Sequence, residues 1–366
     1  VRCSGFSLLA LGVWFAAVGC REDDDEPIGL HDLRLAEDDG VLAIAWMRDE
    51  PEGLALHTQI GESEPLSWEP QPSWSPWRPE LRFAVNAGHR WQLVWGRDEG
   101  GHEQHSTFLI HDGVTTNLDA RLENRGIDFI HDVELLARTD DTAVMVLLAG
   151  PAGLRPQALH VLQIDGNAEI LSSRRLDELE ADRKLGHAYK LHATLVGEDL
   201  IVGLATPEDV AVRRGPIDGI GEVVDIGIDG AIMDLWADAA HSRVLIRQIE
   251  PNVIVVDVGQ GAHTLAPDSG SACDQPHVGA FLPNGEAMAV FAGESSPGVV
   301  VVSESHTPWA WDVDASSVTR ALGTDAGLLV VIGEIYTQSR AKVVLLDPSA
   351  REAVPLLDVD LTPDAP

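Results

Sequence analysis

The chain has 366 residues, 45% of them hydrophobic, with 34 glycines and 21 prolines; this is enough apolar matter for a large core and a turn-rich composition that suits an all-β protein. Acids outnumber bases 59 to 25, for a formal net charge of −34, and such a field repels nucleic acid and anionic lipid headgroups. No apolar run reaches the roughly 20 residues of a membrane-spanning helix.

The first elements are not expected to belong to the fold. Val1 to Cys20 carries a basic residue at Arg2, an apolar stretch from Phe6 to Val18 and small residues before a cysteine, the pattern of a secretory signal over residues 1–19. Val1 fits an alternative start codon. Ala17-Val18-Gly19-Cys20 resembles the lipobox of bacterial lipoproteins, departing from it at Ala17, where Leu is usual. The resemblance implies that Cys20 is lipidated and becomes the first mature residue; an ordinary secretory signal with an incidental cysteine is the alternative. Of the three cysteines, Cys3 then lies in the signal and Cys20 is acylated. Cys273 is left alone, so no intramolecular disulfide is expected.

Residues 20–30 read as the lipidated cysteine and an acidic tether, Glu22 to Glu26. Attachment to the membrane is expected through acyl chains only. In Gram-negative lipoproteins an Asp after the lipidated cysteine favours inner-membrane retention; Arg21 stands there, so the resemblance implies the outer membrane.

From residue 31 to 360 the chain repeats a turn followed by an apolar run. The clearest copy is Phe281 to Ser305, where Asn284-Gly285 is a tight-turn dipeptide expected to form a two-residue hairpin, Ala287, Ala289 and Phe291 follow it, and Val299 to Val302 supplies the next strand. In chain order the same turn and run occur at Asp39-Gly40 before Val41 to Trp46, Asn86 to Gly88 before Trp91 to Trp95, and Asp140-Asp141 before Ala143 to Leu148. Then come Glu198-Asp199 before Leu200 to Leu204, Asp238 to Ala240 before Arg243 to Ile246, the Asn284 copy, and Asp325 to Gly327 before Leu328 to Ile332.

The period averages roughly 48 residues, in the range of propeller blades. The run before each turn, the run that follows it, a second run and usually a third make four strands per unit. Such units cannot bury two faces alone, and radial closure protects their edges. The expected fold is an all-β, seven-bladed β-propeller of four-stranded antiparallel blades near 31–68, 80–122, 127–176, 187–228, 231–268, 277–315 and 317–360. An irregular pair of β-sandwiches is the alternative. The phrase Phe281-Leu282-Pro283-Asn284-Gly285-Glu286-Ala287-Met288-Ala289-Val290-Phe291 is similar to the repeat of Tol-associated and related WD-repeat-like bacterial propellers. That resemblance implies the fold and says little about partners.

Several segments interrupt the repeat. Glu69 to Pro79, with four prolines and two tryptophans, forms with Trp68 a Trp-rich loop between units. It reads as a rigid cover for a blade edge or as an aromatic platform for sugar or peptide. Gly96 to Ser106 contains His102-Glu103-Gln104-His105, an HExH spacing in a loop and not the helical HExxH of zinc enzymes. Asp177 to Lys184 is charged with helical spacing, and Ala231 to Asp238 is expected as an innermost strand.

Catalytic motifs are missing: Gly293 to Gly298 lacks nucleophile-elbow spacing, Gly219-Ile220-Gly221 lacks the third glycine of a phosphate loop, and Asp312-Val313-Asp314 and Asp358-Val359-Asp360 lack the rest of a calcium loop. No cofactor is expected, with one reservation: His31, His131, His187 and His277 lie at comparable positions before their turns and would form a metal-binding ring if the first strands converge, with Asp32 and Asp132 as outer acceptors. Strand caps in separate blades are the alternative.

The longer, polar loops between second and third strands share that mouth, so partner contacts are expected from Asp49, Arg97, Asp98, His102, His105 and Glu294. The functional expectation is a monomeric, non-enzymatic envelope lipoprotein binding a protein or polysaccharide. The alternative is a metal-assisted hydrolase or lyase at the channel mouth.

Overall fold

The computed structural model describes residues 30–50, 53–61, 63, 66–68, 80–97, 104–150, 158–178, 190–205, 209–219, 223–248, 252–267, 275–292, 298–313, 318–332 and 340–360. Their strands form seven four-stranded antiparallel sheets, each from four consecutive strands paired in chain order. Blade one holds β1 (Leu30–Asp38), β2 (Val41–Glu50), β3 (Gly53–Ile60) and β4 (Leu66–Trp68); blade two holds β5 (Glu80–Asn86), β6 (His89–Arg97), β7 (Gln104–His111) and β8 (Val114–Asn117). A short helix, α1 (Asp119–Glu123), leads to blade three: β9 (Phe129–Ala137), β10 (Thr142–Gly150), β11 (Ala158–Asp165) and β12 (Ile170–Glu178). Blade four is β13 (Lys190–Val196), β14 (Asp199–Ala205), β15 (Val210–Pro216) and β16 (Val223–Asp225), and blade five is β17 (Ala231–Ala237), β18 (Ser242–Arg247), β19 (Val253–Asp257) and β20 (Gly261–Leu265). Blade six contains β21 (Gln275–Phe281), β22 (Ala287–Ala292), β23 (Val299–Ser303) and β24 (Trp309–Trp311); blade seven contains β25 (Val318–Thr324), β26 (Gly327–Ile332), β27 (Arg340–Asp347) and β28 (Glu352–Asp360).

The first strands touch one another in an unbroken circuit, β1 to β5, β9, β13, β17, β21, β25 and back to β1. The chain is therefore a seven-bladed β-propeller with these strands around its channel. Sequence explains the radial order. Second strands such as β10 and β22 are apolar on both faces and buried throughout all or nearly all of their length, whereas outer strands such as β8 and β16 are polar or short and exposed.

Seven buried apolar clusters fill the seven junctions between neighbouring blades. Among the described residues the ring closes without a shared strand, since blades one and seven each hold four consecutive strands of their own. Leu33, Ile44 and Trp46 pack against Leu329, Val331 and Val343 across that seam. Electrostatics does not help there: burial, and then the charge of Asp325, raise the pKa of Glu37. Blades six and seven approach so closely that a Cβ on Gly323 would come within 1.8 Å of the Phe281 carbonyl oxygen.

One turn differs from expectation. Residues 282–286 separate β21 from β22, so Asn284-Gly285 is part of a longer loop and not a two-residue hairpin. Only Gly285 of the pair has a positive φ, 85°; the Asn284 side chain instead accepts a hydrogen bond from Glu286 N at 2.9 Å, the local competition typical of Asn in turns. The two-residue form occurs at Asp39-Gly40, with φ of 50° and 77°.

Candidate functional site in the central channel

Three of the expected histidines occupy a shared irregularity. Register shifts in the inner strands fall between Leu30 and Asp32, opposite Leu148 and Ala149 where His131 is the unpaired residue, and between Pro276 and Val278. His31, His131 and His277 are thus bulge residues, as are Met233 in β17 and Thr319 in β25. A bulge re-aims neighbouring side chains and is favoured beside functional sites. The side chain of His31 and all of His187 lie outside the described residues. His131 rests beside Phe129 at 4.8 Å between ring centroids, and burial, aided by Arg247, lowers the pKa of His277. Among the described residues neither belongs to a group of three donors spaced to hold a metal.

Further along the same strands lies a set of charges that follows the repeat. Leu33, Leu81, Val133 and Leu191 pair with Trp46, Val94, Leu147 and Leu204 in the second strands, and each is followed by a polar residue: Arg34, Arg82, Glu134 and His192. Strand alternation puts these four on the other side of the sheet from that core residue.

Their hydrogen bonds step from blade to blade. Arg34 Nε donates to Leu81 O at 2.7 Å, and Arg82 Nε donates to Val133 O at 2.7 Å. The Arg82 fork also reaches Asp132 Oδ1 at 2.7 Å, and Asp132 Oδ2 accepts from Leu191 N at 3.1 Å. Asp132 thereby ties blades two, three and four together. Asp234 does the same for blades five and six, accepting from Leu235 N at 2.9 Å and Phe281 N at 2.7 Å.

Glu134 is different. Its carboxylate makes no hydrogen bond to a described residue; Oε2 stands 3.9 Å from Arg82 Nε, and Oε1 stands 4.0 Å from His192 Nδ1. Its side chain is 20% exposed, on an inner strand of the ring and largely enclosed by protein. Burial pushes its pKa up to about 7, although Arg82 opposes the shift. Burial also lowers the pKa of His192 and raises that of Asp234. Near neutral pH the cluster therefore offers a guanidinium with hydrogen-bonded partners, a neutral imidazole, and a carboxyl group that is both donor and acceptor. Such a set can bind polar ligand groups and can also move a proton.

The Glu134 shift carries a sign for stability. Folded protein keeps this proton up to about pH 7, whereas the unfolded chain releases it near 4.5. The contribution is fully present below pH 4.5, is lost as pH rises through 7, and amounts to about 3 kcal/mol by linkage. Glu134→Gln should flatten the pH dependence of unfolding between these values and stabilise the protein at pH 8, as read from urea melts at several pH values. An unchanged profile would show that Glu134 is solvated like a surface acid.

The residues expected to meet a partner are placed only in part. Asp49 lies near the end of β2, Arg97 ends β6, and His105 is the second residue of β7, all at the mouth where the inner strands begin. Their side chains, and Asp98, His102 and Glu294 entirely, fall outside the described residues. So do the cysteines and residues 69–79 of the Trp-rich loop. The loop expected over Gly96 to Ser106 is shorter than read: Gly96 and Arg97 end β6, and Gln104, His105 and Ser106 begin β7. The sequence reading missed Arg34, Arg82, Glu134, His192 and Asp234. A signal for four of them was present: a polar residue directly after the core Leu or Val in successive first strands.

No family model matches the chain, and no curated protein is similar to it. Among solved structures, it is similar to one of two prolyl endopeptidases studied for inter-domain dynamics in catalysis and specificity, with a TM-score of 0.61 and 13% identity over 93% of this chain and 51% of that one. The chain thus spans about half the length of that enzyme. It is also similar to a putative 6-phosphogluconolactonase from Bacteroides fragilis, with a TM-score of 0.51 and 11% identity over 93% and 97% of the two chains. A third similarity is to Kluyveromyces lactis Hsv2, with a TM-score of 0.51 and 10% identity over 92% and 100%. Identities this low speak for the fold alone.

Proposed function

We propose that the protein is a monomeric, lipid-anchored propeller of the cell envelope that binds a polar partner, a protein segment or a polysaccharide, over the mouth of its channel without chemistry of its own. The observation that carries this reading is the channel cluster. Glu134, Arg82 and His192 hold charge and hydrogen-bonding capacity in an enclosed place, where each uncompensated group costs stability. Asp49, Arg97, Asp98, His102, His105 and Glu294 would form the outer rim of the same site. The lipobox resemblance at Cys20 supports the anchor, and Arg21 after it supports the outer membrane.

Capture of peptides and envelope polysaccharides by immobilised protein tests the site. Glu134→Gln with His192→Gln should weaken capture at least about tenfold, the scale of one or two lost polar contacts to a ligand, without lowering the melting temperature. A triple change at the rim, Arg97→Glu, His102→Ala and His105→Ala, should act in the same direction. Unchanged capture in both variants would overturn the assignment.

A second reading, a hydrolase or lyase acting at the mouth with or without a metal at the histidine ring, is favoured by one observation: the Glu134 carboxyl titrates near neutral pH, where a general acid or base works best. Turnover of a captured polymer, with a pH–rate limb abolished by Glu134→Gln, would establish it over simple binding.

The anchor has its own test. Cys20→Ala should leave the protein unacylated and move it from the membrane to the soluble fraction, followed by fractionation and the mass of the N-terminal peptide. Retention of the variant in membranes would overturn the lipoprotein assignment.

A further inference from the structure

On the face opposite the mouth, where the tight turns gather, a second group of donors spans two blades. His89 opens β6, His111 closes β7, Asp112 lies in the turn after β7, and Asp141 lies in the turn between β9 and β10 of the next blade. Each imidazole nitrogen faces both carboxylates. His89 Nδ1 is 2.8 Å from Asp112 Oδ2 and 3.5 Å from Asp141 Oδ1; His111 Nε2 is 2.9 Å from Asp141 Oδ1 and 3.6 Å from Asp112 Oδ2. An ion bound tetrahedrally at about 2.0–2.1 Å sets its donors about 3.3 Å apart. These four His–Asp separations bracket that value; His89, His111 and Asp112 offer donor atoms all within 4.8 Å of one another, and the half-exposed Asp141 carboxylate would turn inward to complete the set.

The group is also built as a site. His111 is only 9% exposed, and its buried Nε2 has the Asp141 carboxylate 2.9 Å away but makes no aligned hydrogen bond to it. Trp91 holds its ring on one side at 4.0 Å between centroids. Gly166 closes over it so nearly that a Cβ there would stand 2.7 Å from the ring. The ring is therefore fixed with Nε2 directed at the carboxylates. Asp112 is oriented in turn, its other oxygen accepting from Arg90 N at 2.8 Å, the kind of outer contact that positions a ligand carboxylate.

We propose that His89 Nδ1, His111 Nε2, Asp112 Oδ2 and Asp141 Oδ1 bind one divalent transition-metal ion, zinc by donor type and geometry, which staples blade two to blade three. Calcium and magnesium take oxygen ligands in larger number, whereas imidazole paired with carboxylate at tetrahedral spacing suits zinc. With four protein ligands the ion has no open position, so its role is structural. The site stands apart from the channel and does not depend on how the channel is read.

The test uses the full chain, stripped with chelator and then titrated with zinc. One ion per chain by elemental analysis and a rise in Tm of a few degrees at a large excess over Kd are expected; cobalt in place of zinc should give the intense visible absorption of a tetrahedral centre. His89→Ala and Asp141→Asn alter the two more exposed ligands, 38% and 50%, so the fold should survive them. Each should weaken binding by more than the roughly 10–100-fold typical of outer-shell changes, and the double variant should not bind. Absence of stoichiometric zinc in the wild type would overturn the proposal. Undiminished binding in the double variant would place the ion elsewhere and overturn it equally. Should a variant unfold, the cobalt spectrum of the wild type still decides, because an octahedral spectrum rules out this site.

Discussion

Deleting blade seven, residues 318–360, should abolish cooperative folding of the whole chain and not merely remove a module. The deletion uncovers two apolar faces at once: Met288, Val290, Val299 and Val301 on blade six, and Leu33, Ile44 and Trp46 on blade one. Fully burying an aliphatic or aromatic side chain is worth about 1.5–3 kcal/mol. Even with half of that burial supplied by its own blade, the loss is on the order of 5–10 kcal/mol, against a total stability of about 5–15 kcal/mol. Neighbouring blades cannot compensate, because each unit is stabilised only by the ones beside it. The measurement is calorimetric melting with dye binding to exposed apolar surface; a soluble truncation with one sharp transition would show that the ring tolerates an open seam. The seam between blades one and seven is also the place to expect first opening, since among the described residues no strand crosses it and the acids Glu37 and Asp325 repel each other beside it.

Arg82→Ala should destabilise the protein by about 3–5 kcal/mol, the range for removing one member of a buried, hydrogen-bonded charge group. The guanidinium binds Leu81 O, Val133 O and Asp132, and covers the Trp95 ring at 5.1 Å. Its removal leaves the Asp132 carboxylate next to Glu134 without the cation between them. Arg82→Lys keeps the charge but not the planar fork, so it should recover only part of the loss. Combining Arg82→Ala with Glu134→Gln should cost less than the sum of the two effects on stability at pH 8, because one of the two crowded carboxylates is then neutral. Urea unfolding of the four variants measures all of this. A loss below about 1 kcal/mol for Arg82→Ala would mean that channel water replaces the guanidinium with little penalty.

The architecture was legible in the sequence because its signals are local. Turn residues such as Asp39-Gly40, strand-length apolar runs such as Ala143 to Leu148, and their recurrence specify blades and their number without reference to anything distant. Ala231 to Asp238 reads as an inner strand from its own residues, and β17 runs from Ala231 to Ala237. Even the equivalence of His31, His131 and His277 could be read from spacing, although only the strand register shows that what they share is a bulge.

What the sequence could not supply is which charges meet. Arg82 and Asp132 are 50 residues apart, and the side chains of His89 and Asp141, from different blades, come to 3.5 Å. These contacts arise because radial packing sets one sheet against the next at a fixed register, and that register is decided by the apolar clusters between blades. The same holds for electrostatics: Glu134 is an ordinary glutamate in its strand and acquires a pKa of about 7 only when the closed ring removes it from bulk water. Gly285 likewise meets a neighbour that its local turn pattern does not reveal, the Trp236 ring of the adjacent blade, within 3.0 Å of where its Cβ would lie. Local pattern determined the strands and turns, whereas ring closure decided the sites, because a site here is made of side chains that only the junctions between blades bring together.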